Sequence, residues 1–347
     1  MVSTVLGCNS SAISSRKWLF NPFADLLFCC GGLTWLLVGI HYVFNPASFQ
    51  SGPNAKELIP LITAMGTILL SDTHNAATLF RLYGSERLRQ KHGGLAWSGA
   101  FIAAFLSLSL LCSPVLLSIC ARIYLILVVY HVLAQIYGLC MMYCRMHDCK
   151  LSYGQILQLK LGINCLSVYA VLCQFVYVDK FRHSFFGVAL PVWSGLSEPI
   201  LYAVLGSACI LLSSFACSLA FKRVLLPAPV LMLLSTGLLI AALVHCASGV
   251  LSLYIPIFFH GLQYVLLNLS EHLKQDQALV QKATSSIALG YFAKLLALTL
   301  IMFGLLPQFI SMIFQLRFET VFLAIFLGLN FHHIACDSLI WSKGKAA

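Results

Sequence analysis

The sequence predicts an all-α protein, a polytopic bundle of about ten transmembrane helices, and three observations carry this. Hydrophobic residues make up 60% of the 347 residues and charged ones only 9%, with a mean hydropathy of +0.91, far above the apolar share of a soluble domain. Apolar stretches recur at roughly the 20 residues that a helix needs to cross hydrocarbon. Leu, Phe, Ile and Val run all round these stretches, without the period-2 alternation of a porin-type strand.

Ten spans fit the hydropathy, at 23–44, 58–80, 96–113, 120–143, 156–177, 199–220, 228–247, 250–269, 286–311 and 320–341. The first follows a polar segment with Arg16 and Lys17 and is of full span length, so it is a retained helix rather than a cleaved signal. The third and fourth are divided at Cys112-Ser113-Pro114, because the apolar run from 96 to 143 is too long for one crossing. Pro227-Ala228-Pro229 opens the seventh, and Gly249 separates it from the eighth. The organisation is a cytoplasmic segment 1–22, one helical membrane domain 23–342, and a cytoplasmic tail 343–347. No fixed-period repeat or soluble linker interrupts it.

The basic residues give an independent reading of topology. With the amino terminus inside, the inner segments hold Arg16, Lys17, Arg81, Arg87, Arg89, Lys91, Arg145, Lys150, Lys222, Arg223, Lys274, Lys282, Lys343 and Lys345. The outer ones hold Lys56, Arg122, Lys180, Arg182 and Arg317, and Lys160 and Lys294 fall inside spans. This fourteen-to-five bias is the positive-inside pattern, with both termini cytoplasmic and 45–57 and 178–199 facing outward. The expected location is a bacterial inner membrane or its equivalent.

The net charge of +10 is therefore mostly topology, with membrane lipids as the natural contacts. No basic patch with interleaved aromatics, phosphate loop or zinc-finger spacing marks a nucleic-acid partner. Most of the 14 cysteines fall inside spans, where they serve as small apolar residues, and no disulfide framework is implied.

Against this background the ionisable residues inside the spans stand out, because such groups in hydrocarbon mark sites or pathways. Asp72 and His74 fall in the inner half of the second span, His131 and His260 near the middle of the fourth and eighth, and His332, His333 and Asp337 in the inner half of the tenth. These four spans run in the same direction, so their histidines share a depth. His131 with Gln135, His260 with Tyr264, and His333 with Asp337 are i,i+4 pairs that share a helix face. Asp72 and His74, two apart, do not, and need a local break or separate roles. His41 and His245 lie near the outer surface, and His92, His147, His183 and His272 in loops, where they read as structural.

Neutral imidazoles supply nitrogen ligands without adding charge, and one or two carboxylates offset a divalent cation. His74, His131, His260, His332, His333 and Asp337 are the candidate metal ligands, for a mononuclear or dinuclear transition-metal centre. Nitrogen with carboxylate favours Fe, with Zn or Cu as alternatives. Asp72 is a ligand or proton-transfer carboxylate, Tyr264 a hydrogen-bond partner for a bound oxygen species, and Gln135 an orienter of water or substrate.

The paired His332 and His333 resemble those of membrane fatty-acid desaturases and hydroxylases, and a histidine cluster inside a bundle is similar in outline to bacterial carotenoid-cleaving oxygenases. Both likenesses imply redox chemistry. The separate histidine boxes of the desaturases are missing. The functional expectation is a membrane-embedded metal-dependent enzyme, an oxidoreductase or oxygenase acting on a lipid or other apolar substrate. The alternative is a secondary transporter for a metal ion or proton-coupled solute.

Overall fold

The structure, a computed structural model, describes residues 17–44, 65–177, 184–191, 195–246, 250–275 and 284–341. The side chain of His41, His183, the segment 45–57, the Gly249 junction and both termini lie outside the described residues.

The chain is helical almost throughout. Asn21 caps α1 (Pro22–Cys29), accepting the Ala24 N–H at 2.8 Å. Buried Asp25 accepts from the Leu19 N–H at 2.7 Å, the Phe20 N–H at 3.1 Å and the Tyr143 hydroxyl at 2.9 Å. It thereby ties the start of the chain to the centre of the bundle. A bend of 57° leads into α2 (Gly32–Phe44). Gly31 makes it at φ +99°, and a Cβ there would run into Thr236, whose hydroxyl reaches the Cys30 carbonyl at 2.8 Å. Only glycine takes that backbone without strain.

A π-helical turn, Thr67–Asp72, then leads into α3 (Thr73–Gly84). The division expected at Ser113-Pro114 is where α4 (Glu86–Cys112) gives way to α5 (Pro114–Met146). Ser113 caps α5 through the Leu116 N–H at 3.3 Å, and Pro114 takes the first helical position, where its missing N–H costs nothing. A Ser152–Gln155 capping box opens α6 (Tyr153–Val176). A short antiparallel hairpin, β1 (Ser184–Phe185) and β2 (Val188–Ala189), is held to α5 by Ser118 and Arg122, which donate to the Ala189 and Pro191 carbonyls at 2.5 and 3.0 Å. Then follow α7 (Glu198–Phe221), α8 (Ala228–Cys246), α9 (Val250–Gln275) and α10 (Thr284–Leu300). A second π turn, Ile301–Leu305, joins α10 to α11 (Leu306–Phe314), and α12 (Phe318–Trp341) ends the bundle.

Among the described residues, seven helices are long and apolar enough to cross a membrane, or eight if α1 and α2 form one bent span. The protein is thus an all-α polytopic membrane bundle, and the expected count of about ten is not reached. The expected span 58–80 begins outside the described residues, and 250–269 corresponds to α9, which is not among the seven. Large apolar side chains cover the outer surface; Phe101 and Phe105 on α4 are each 73% exposed, as suits a surface whose solvent is lipid.

Several helices begin or end beyond the expected spans. Both α4 and α9 continue through polar sequence, so His92 and His272, expected in loops, are helical. His272 stacks on Tyr291 with ring centroids 4.9 Å apart. Lys294 and Lys160 are exposed on the bundle surface. At the centre, α3 packs on α4, α9, α10 and α12, while α5 packs on α6, α8, α9 and α12. Every side chain from Ser71 to Thr78 is buried, which makes the start of α3 a polar strand of chemistry inside an apolar bundle.

Candidate metal centre

The site is built where α3, α5, α9 and α12 meet, and the close approach of α3 and α9 comes first. Gly261 on α9 lies directly against the Leu70 carbonyl, and a Cβ there would also come within 2.7 Å of the Leu70 carbonyl carbon and 3.0 Å of Ser71 Cα. The facing segment is the π-helical turn, a device that recurs at functional sites because it re-aims the residues that follow. Here it re-aims His74. His260, beside Gly261, comes to the same place from the other helix, and the two rings meet edge to face at 5.0 Å.

His131 from α5 and His333 from α12 complete a quadrilateral of imidazoles. Its remaining sides are 4.8 Å from His260 to His131, 5.6 Å from His131 to His333 and 4.4 Å from His333 to His74. The His260–His333 diagonal is 6.2 Å. A metal–nitrogen bond of about 2.1 Å puts a ring centroid about 3.2 Å from the ion, so four imidazoles around one ion have neighbouring centroids about 4.5–5.2 Å apart. The observed sides bracket that range. Single ligand atoms from His74, His260 and His333 lie within 4.8 Å of one another, as do those from His131, His333 and Asp337. The bundle therefore holds two buried groups of histidine and aspartate able to coordinate a transition metal, with His333 common to both.

Hydrogen bonds fix how three of the rings present themselves. Nδ1 of His74 bonds the Ser71 carbonyl, and Nδ1 of His260 bonds the Gln135 side-chain oxygen. Both partners can only accept, so both rings carry the proton on Nδ1 and turn the Nε2 lone pair away. Thr78 lies 2.6 Å from His333 Nδ1, 3.1 Å from the His74 carbonyl and 2.9 Å from the Tyr264 hydroxyl. When its single proton goes to the His74 carbonyl or to Tyr264, the Thr78 oxygen accepts from His333. Nε2 of His131, His260 and His333 is in each case buried with no hydrogen-bond partner among the described residues. A buried unmade hydrogen bond costs about 1–3 kcal/mol, and three such atoms in one cluster are what a metal would satisfy.

The carboxylates and neighbouring groups fall differently from the i,i+4 pairing. Asp337 Oδ2 is 3.5 Å from His131 Nε2, across helices, and Tyr264 bonds both Thr78 and Asp337. Gln135 serves His260 instead of its own helix neighbour His131. Asp72 ends the π turn, which supplies the local break that its spacing from His74 requires. It is 1% exposed, its Oδ1 has no hydrogen-bond partner, and it belongs to neither ligand group.

The structure does not bring His332 to the cluster. Consecutive helical residues point about 100° apart, so with His333 facing inward His332 faces α4. There its Nε2 lies 3.2 Å from the Tyr83 hydroxyl and 3.3 Å from Cys336 Sγ. His245 bonds the Tyr169 hydroxyl at 2.8 Å, outside the cluster, and His147 meets Trp18 edge to face at 5.2 Å. Thr78 and the Ser71 carbonyl are functional groups that the sequence reading missed. For Thr78 the signal was available, since it stands one helical turn from His74 on the same face.

No family model matches the chain, no curated protein matches it, and no solved structure matches its fold.

Proposed function

We propose that the protein is a membrane-embedded metal-dependent oxidoreductase whose ion is held by His74, His131, His260 and His333, with Asp337 as the carboxylate on the His131 side. One observation carries this reading: two of the imidazoles have Nδ1 anchored to an obligate acceptor and a third has Nδ1 against Thr78, while the buried Nε2 atoms of His131, His260 and His333 have no hydrogen-bond partner among the described residues. Anchoring of the far ring nitrogen is how proteins orient metal-bound histidine. The donor set is imidazole and carboxylate, with no thiol in either group, which favours iron over a thiolate-type zinc centre.

When bound, such an ion supplies redox or Lewis-acid chemistry inside a water-poor bundle. The chain's own residues do the rest. Ser71, Gln135 and Thr78 hold the rings, Asp337 offsets the ion's charge, and Tyr264 places its hydroxyl beside Asp337 and His333 as a hydrogen-bond partner for substrate or oxidant. Asp72 is a proton-transfer carboxylate in this reading. A site within the membrane draws its substrate from the bilayer, so the substrate is a lipid or other apolar molecule.

Protein expressed with supplemental iron should purify with one ion per chain, and His131→Ala, His260→Ala and His333→Ala should lose it while His147→Ala keeps it. Absence of metal from the unmodified protein would overturn the reading. Metal accumulation inside proteoliposomes would assign transport instead of catalysis. The basic-residue bias supports a topology with both termini in the cytoplasm of a bacterial or equivalent cell. A cysteine introduced at Gly195 should then label in intact cells and one at Lys150 only after permeabilisation; the reverse pattern would invert the orientation.

A further inference from the structure

Away from the histidine cluster, residues of α3, α4, α11 and α12 line a cavity of about 500 Å³. Leu108, Met302, Ile310, Ile325 and Leu329 form part of its apolar wall, together with small residues of α4 (Ala100, Ala103 and Ala104). Its polar side chains gather at one end. Tyr83 and Trp97 lie with ring centroids 5.0 Å apart, and His332, 5% exposed, stacks on Tyr83 at 6.2 Å. Gly99 faces the His332 ring, and a Cβ there would be 3.3 Å from Cδ2, so the glycine gives the imidazole its space. The remaining polar residue in the wall, Ser107, spends its hydroxyl on the Ala103 carbonyl at 2.9 Å.

We propose that this cavity binds a single-chain apolar molecule ending in a neutral hydrogen-bonding group, such as a long-chain alcohol, with that group against His332 and Tyr83. Pockets of this volume with an apolar wall and a few grouped polar atoms are the general form of small-molecule sites. The wall contains no Lys, Arg, Asp or Glu, which disfavours a carboxylate or phosphate head because its charge would go unpaired in hydrocarbon. The volume holds one chain and not the two of a phospholipid. Trp97 at 56% and Leu108 at 63% exposure place the opening on the lipid-facing surface, so the ligand enters sideways. Tyr83 gives its proton to the Ala96 carbonyl at 2.8 Å and meets His332 Nε2 at 3.2 Å, which leaves one lone pair of its oxygen for an alcohol proton. The proposal stands on the cavity alone. Where the metal reading also holds, the ligand's head lies beside the chain neighbour of His333.

The test uses the full chain in nanodiscs, with Trp97 as the sole tryptophan and 9,10-dibromooctadecan-1-ol as quencher. Specific binding predicts quenching that saturates at low mole fraction and is reversed by unbrominated octadecan-1-ol. Ala104→Phe, and independently Ala100→Phe, should abolish the saturable part. His332→Leu should weaken alcohol binding by about tenfold, the loss of one good hydrogen bond, and leave dibromooctadecane unaffected. Quenching that rises linearly with mole fraction, identically in the filled variants, would mean ordinary boundary lipid and overturn the proposal. An unchanged affinity in His332→Leu would overturn the head-group assignment. Metal content measured on the same samples reports on the histidine cluster separately, since His332, Ala100 and Ala104 belong to neither ligand group.

Discussion

Gln135→Leu isolates the second layer of the site from its ligands. The Gln135 side-chain oxygen accepts from His260 Nδ1, and this bond holds the proton on Nδ1 and leaves Nε2 for a metal. Leucine keeps the approximate volume and removes the acceptor. Without metal, the variant imidazole is free to move its proton to Nε2 and find a different rotamer. Metal binding must reverse that and leave a buried Nδ1–H unmade, at about 1–3 kcal/mol. That corresponds to roughly 5–150-fold in affinity, and outer-layer partners of metal-bound histidines are worth about 10–100-fold when measured. The expected result is therefore a dissociation constant raised by one to two orders of magnitude. Competition with a chelator in detergent measures it, and the visible spectrum of the Co²⁺ form reports whether the coordination geometry changes. Gln135→Glu retains an acceptor of the same length and should bind at least as tightly. If Gln135→Leu holds metal within about twofold of the unmodified protein, the hydrogen bond does not orient His260 for coordination and the reasoning fails.

The adjacent histidines make a paired control: His333→Ala should abolish metal binding, whereas His332→Ala should retain it, and equal losses measured by elemental analysis would contradict the way α12 presents them. Gly261→Ala should separate α9 from the Leu70–Ser71 backbone and so pull His260 from His74; overpacking of this kind costs about 1–3 kcal/mol, opposed by up to about 1 kcal/mol of helix propensity. Its thermal midpoint and metal affinity should fall together, and a stability loss with metal affinity intact would show that the contact serves packing alone. Chelation of the native protein should lower its thermal midpoint, because saturating metal at about 100 times its dissociation constant stabilises by about 2.7 kcal/mol; an unchanged midpoint after verified metal removal would argue against a resident ion.

The fold was legible where hydropathy and helix boundaries coincide, as at Ser113-Pro114, where a cap residue and a proline meet between two apolar runs. It was less legible at α4, because hydropathy detects hydrocarbon contact and the Glu-Arg-Leu-Arg-Gln-Lys start is helical without being apolar. Equal depth on helices of one direction is a strong restriction, and it grouped His74, His131, His260 and His333 along with His332, which the bundle turns elsewhere. Rotation about each helix axis was not legible. It decides that His333 faces the cluster and His332 the cavity, that Gln135 reaches His260, and that Asp337 reaches His131. Each of these is settled by packing between helices, which a periodic apolar pattern running all round the helix leaves open.

The π turn shows how that rotation is set in one case. In a regular helix Asp72 and His74 point to different sides, and nothing in their spacing says which side is the interior. An extra residue in the turn Thr67–Asp72 changes the phase of all that follows, and His74, Thr78 and Tyr264 join one network. The same widened turn presents the Leu70 backbone to Gly261, the residue next to His260. A single irregularity thereby positions ligands on two helices. The irregular helical turn and the missing side chain on α9 meet at one backbone contact, and beside it the His74 and His260 rings lie 5.0 Å apart.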